Sequence, residues 1–68
     1  MDHYKIMHEK KQSALQSISR LEQLAVGASP EEHSIIDKLL IVARNNIEIA
    51  EIEYSCQLII ENARDKAA

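Results

Sequence analysis

The sequence predicts an all-α fold: an antiparallel two-helix hairpin, short helix first and longer helix second, completed by dimerisation or by a partner chain. Three observations predict it. Turn-forming residues gather only at Val26-Gly27-Ala28-Ser29-Pro30, whereas a strand-rich domain needs them every 8–12 positions or so. Apolar residues on both sides of that cluster recur at spacings of three and four. The chain is also short, at 68 residues with one cysteine. A chain of this size buries only about 60% of the surface its unfolded form exposes. Small domains offset that shortfall with disulfides, a metal or association. Cys56 has no second cysteine to pair with, so association is the expected remedy.

One domain over 1–68 is expected. The first helix is predicted over about 2–25. Stepping by three and four gives Tyr4, Met7, Lys11, Ala14, Ile18, Leu21 and Ala25, with Leu15 alongside. Lys11 interrupts this stripe, but its stem can lie across the apolar surface while the charge reaches water. Gln12, Gln16, Ser19 and Gln23 form the polar back.

The turn is predicted over 26–29. Gly27 suits the left-handed conformation that closes a helix. Ser29 is a good N-cap, Pro30 fits the first helical position, and Glu31 and Glu32 favour the positive end of the helix dipole. Glu32, three residues after Ser29, completes a capping box.

The second helix is predicted over about 30–64. Ile35, Ile36, Leu39, Leu40, Val42, Ala43 and Ile47 cover a wide arc, ample for packing on the first helix. Ala50, Tyr54 and Leu58 continue that face. At 100° per residue a second stripe then separates from it: Ile49, Ile52, Cys56, Ile59, Ile60 and Ala63. These six are the candidate partner-binding residues. At 1.5 Å per residue the helices span about 36 and 52 Å, so the start of the first is expected near residues 52–55 of the second. Cys56–Ile60 would then overhang, uncovered by its own chain. Asn45-Asn46 could break the helix, as asparagine pairs favour turns. No glycine or proline supports a stop there, and one continuous helix is the expectation.

Candidate chemistry is sparse. His3 and His8 stand five apart, on different sides of a helix, whereas helical metal-ligand pairs favour spacings of three or four. His33 has no neighbouring ligand. Cys56 has no histidine expected beside it and reads as a small packed hydrophobe. Glu48 and Glu51 read as a solvated face with Asp37 and Arg44, and Glu53 belongs to the same acidic run. No phosphate-cradling loop can be built with one glycine. A binding protein without cofactor or metal is expected, not an enzyme. No apolar run approaches the roughly 20 residues that span a bilayer. The lone cysteine and the lack of a signal-like start fit the cytoplasm. Residues 26–68 carry four basic and eight acidic side chains, which argues against nucleic acid.

The run Gly27-Ala28-Ser29-Pro30-Glu31-Glu32-His33, followed by Leu39, Leu40, Ala43, Ile47, Ile49, Ile52 and Tyr54, resembles the YscE family of small type III secretion co-chaperones. The resemblance covers the last two-thirds of the chain, and departs from the family at His33, where tyrosine is usual. It implies a hairpin that binds a larger helical-repeat chaperone of the TPR type. Together the two would keep the secretion needle subunit monomeric in the cytoplasm. The alternative is a homodimeric four-helix bundle acting as a small regulator that binds RNA or protein. That would require a basic face, and Lys5, Lys10, Lys11 and Arg20 are interleaved with Glu9 and Glu22. The isolated chain could form homodimers under either reading.

Overall fold

The computed structural model describes residues 2–67 and consists of two helices, α1 (His3–Ala25) and α2 (Pro30–Ala67). Asp2 caps α1 rather than joining it, its Oδ1 accepting from the Lys5 amide at 3.1 Å. The turn follows its residue types closely. Gly27 takes φ +78°, and the Val26 and Ala28 amides donate back to the Gln23 and Ala25 carbonyls. The capping box forms in both directions: Glu32 N–H donates to Ser29 Oγ at 3.2 Å, and Ser29 N–H to Glu32 Oε1 at 3.4 Å. Two amides at the start of α2 thus find partners in side chains three residues away. No break occurs at Asn45-Asn46, and α2 continues past residue 64.

Packing between the helices runs along one line on each. Tyr4, which heads the predicted stripe of α1, is 58% exposed, and His3 is half-covered instead. From Met7 onward the covered or half-covered positions of α1 are Met7, Lys11, Ala14, Ile18, Leu21 and Ala25, as its stripe predicts. On α2 they are Ile36, Leu40, Ala43, Ile47, Ala50 and Tyr54. Both sets alternate spacings of four and three, the seam of a coiled coil. The tightest part is made of small residues: Ala14, Ala43 and Ala50 are buried, Ala50 to 2% exposure. With only a methyl group between them, the two backbones can approach closely. Tyr4 and Tyr54 close the open end in an edge-to-face contact, centroids 5.9 Å apart.

The register differs from that expected from helix lengths. Lys11 Nζ stands 3.3 Å from Glu51, Lys10 Nζ 2.8 Å from Glu53, and His3 Nε2 2.6 Å from Glu61. The start of α1 therefore reaches about two turns further along α2 than residues 52–55. The reason lies at the turn. Leu21 lines one depression with Leu39, Val42 and Ala43, so the first turn of α2, before Ile36, lies past the end of α1. Cys56 and Gln57 consequently share a depression with His3, Ile6 and Met7 and do not overhang. Glu51 is exposed, as expected of a solvated face, and pairs there with Lys11.

The Cα trace measures 59 × 17 × 9 Å, two helices wide and one helix thick. Among the described residues only Ala14, Ile36, Ala43 and Ala50 are buried. Three expectations follow for thermal or urea unfolding. Ala50→Leu overpacks the closest approach and costs about 1–3 kcal/mol. Gly27→Ala meets no steric neighbour but places a Cβ at positive φ, costing about 1–2 kcal/mol. A double-mutant cycle on the exposed Lys10–Glu53 pair returns less than about 1 kcal/mol.

Candidate partner-binding surface

A hairpin one helix thick has two broad faces, and here they differ in chemistry. On one face three shallow depressions lie end to end between the helices. At the open end one is bordered by His3, Ile6, Met7, Lys10, Ile52, Glu53, Cys56 and Gln57. The middle one is bordered by Ser13, Ala14, Ser17, Asn46, Ile49 and Ala50. Toward the turn the third is bordered by Ser17, Arg20, Leu21, Leu39, Val42, Ala43 and Asn46. Their shared residues make them one groove, floored by the seam alanines and by Ser13 and Ser17. The α2 wall is largely apolar. Val42, Ile49 and Cys56 repeat every seven residues, with Ile35 before them and Ala63 after. Leu39 and Ile60 belong to the parallel row at 39, 46, 53 and 60, where Asn46 and Glu53 supply the polar interruptions.

The opposite broad face carries Asp37, Arg44, Glu48 and Glu51 from α2 and Lys5, Gln12, Ser19 and Glu22 from α1. All are exposed. Apolar side chains are few there: Leu15 on α1, and Ile41 and Leu58 on α2. Leu58, expected to continue the packed face, lies at its margin and is exposed.

All six candidate residues are exposed: Ile49, Ile52, Cys56, Ile59, Ile60 and Ala63. They do not form a single line, however. Ile49 and Cys56 line the groove, and Ile60 and Ala63 continue its α2 rows by heptad position beyond the depressions. Ile52 and Ile59 share the heptad position of Lys38 and Asn45 and are 60% and 68% exposed; Ile52 also reaches the rim of the open-end depression, while Ile59 lies outside all three. Their exposure comes from the direction they face, since α1 runs alongside this length of α2. The six residues are exposed, but not through the overhang expected from helix lengths.

Sequence reasoning also missed half of the wall. Ile35, Leu39 and Val42 were assigned to packing on the first helix, but they are about half exposed. The signal was available in the seven-residue repeat, which runs from Ile35 to Ala63. One neighbouring helix covers an arc little wider than the seam, so a wider apolar arc is left wet.

The polar candidates are placed as follows. His3 Nε2 donates to Glu61, tying the two helices together at the open end, and His8 stacks on Tyr4 at a centroid distance of 6.2 Å. His33 is exposed in the first turn of α2, its amide bonded to the Ser29 carbonyl at 2.8 Å. Glu53 and Glu51 serve as counter-charges to Lys10 and Lys11. Among the described residues no three His, Cys, Asp or Glu side chains gather where they could hold a metal ion, and no helix is long and apolar enough to cross a membrane. No family model, curated protein or solved structure matches this chain.

Proposed function

We propose that this protein is a cytoplasmic co-chaperone, a binding protein and not an enzyme. In this reading it pairs with a larger helical-repeat chaperone of the TPR type to keep a type III secretion needle subunit monomeric. The observation that carries the reading is the exposed apolar surface of α2 in a hairpin one helix thick. Ile52 and Ile59, with Ile49, Cys56, Ile60 and Ala63 beside them, offer exposed side chains to helices of another chain. Each large one is worth roughly 1.5–3 kcal/mol when fully buried. A helical-repeat protein presents stacked helices with grooves between them, a surface to which an amphipathic helix is suited. The turn sequence, with its resemblance to the YscE family, supplies the identity of the partner.

Nucleic acid is a poorer fit than the sequence alone suggests. Lys10 and Lys11, half of the cations on α1, are each set against a glutamate of α2. Binding to phosphates depends on unpaired cations displacing counterions.

Co-expression with the needle-subunit chaperone tests the reading. Ile52→Asp and Ile59→Asp each abolish co-purification and leave the helical circular dichroism signal in place, because neither side chain packs within the hairpin. Gln16→Asp, on the polar back of α1, leaves the complex intact. Recovery of the Asp variants at the wild-type yield would show that the outer edge of α2 is not the contact.

A further inference from the structure

The groove is apolar along α2 and carries a guanidinium without a counter-charge along α1, a combination that selects its occupant. We propose that it takes an acidic amphipathic helix of another protein, its apolar stripe on the α2 wall and a carboxylate on Arg20. The inference goes beyond the co-chaperone reading and does not depend on it.

Spacing decides that the occupant is a helix. From Leu39 to Cys56 the α2 wall alternates spacings of three and four, the pattern of the seam itself, with Asn46 and Glu53 as polar interruptions. Ile35, Ile60 and Ala63 extend the same rows at either end. Side chains of a third helix at matching spacings fall between these residues, whereas an extended strand, with its period of two, stays out of step. From Ile35 to Ala63 the rows span about 42 Å, which suits a helix of about 28 residues.

Charge decides what kind of helix. Lys10 and Arg20 border the three depressions from α1, and Glu53 is the one carboxylate among their lining residues. Glu53 is held by Lys10 at 2.8 Å, and His3, at the open end, is bonded to Glu61. Arg20 makes no ion pair with any described residue, and it lines the depression nearest the turn together with Leu21, Leu39 and Val42. The protein's net charge of −3 arises elsewhere: Glu9, Glu22, Asp37, Glu48 and Glu51 border none of the three depressions. An apolar or basic helix laid here would strip water from Arg20 and return nothing, whereas an Asp or Glu beside the apolar stripe restores its hydrogen bonds in charged form. A second copy of this chain does not meet the need, because the carboxylate of its own groove, Glu53, is already taken by Lys10.

Two synthetic helical peptides of about 28 residues test the proposal. Both carry Leu and Ala at spacings of three and four; the flanking positions are Glu in one and Lys in the other. Binding of each labelled peptide to the full chain is read by fluorescence anisotropy. The Glu peptide is expected to bind about tenfold or more tightly than the Lys peptide, against the bias of a protein whose net charge is −3. Arg20→Glu reverses that preference, and Leu39→Glu weakens both peptides. Both positions are exposed, so the hairpin is retained, as circular dichroism checks. Should Arg20→Glu unfold the chain, Arg20→Gln takes its place and the preference is expected to vanish. Ile59→Asp, outside the groove, changes neither peptide, which keeps this test distinct from the co-purification one. Equal affinities, a preference for Lys, or a preference for Glu that survives loss of Arg20 would each overturn the proposal. So would binding of neither peptide; a sedimentation mass of twice 7.7 kDa in that case would give the groove to a second copy.

Discussion

Two helices side by side can hide only the side chains that lie between them, and nearly everything distinctive about this hairpin follows from that limit. The seam takes six positions from each helix, and at its closest points it is filled by alanines. Alanine is what allows the backbones to meet, but it contributes little apolar area per position. The larger side chains of α2 are therefore displaced from the seam to the groove wall and the outer edge. A domain normally consists of at least two packed layers around a core. This chain supplies one layer, already bearing the apolar surface that a second would cover.

What makes the hairpin specific is largely polar and local. The reciprocal bonds of Ser29 and Glu32, the positive φ of Gly27 and the Asp2 cap fix where each helix begins and ends. The ion pairs along the two margins of the seam are exposed and individually weak. Their value is in register: Lys10 with Glu53 on one margin and Lys11 with Glu51 on the other oppose a slip of one helix past the other. His3 with Glu61 repeats the constraint at the open end.

The elements themselves were legible in the sequence because their signals are short-range. Caps act over three residues, and the α1 stripe from Met7 to Ala25 is a spacing pattern. Lys11 behaves as a lysine in an apolar stripe should, stem covered and ammonium at a carboxylate. The register was not legible, because it depends on how far four loop residues climb before α2 begins, and helix lengths carry no information on that. The split of the candidate stripe into a groove wall and an outer edge was hidden for a related reason. Ile49 and Ile59 both fall in the candidate stripe, and only the position of α1 shows that one flanks a groove and the other lies outside it. Ile35, Leu39 and Val42 were lost by crediting one neighbour with covering an arc that takes two.

So thin a molecule has its folding equilibrium tied closely to its surroundings. Any species that binds the folded hairpin and not the open chain adds RT ln(1 + [L]/Kd), or about 2.7 kcal/mol at a hundredfold excess over Kd. Against an interior of a few alanines and one isoleucine, that increment is a large share of the whole. Occupancy would then govern the lifetime of the polypeptide: copies in excess of their binding sites are those that open most often and meet proteases first, so abundance is trimmed toward the number of sites without a dedicated control.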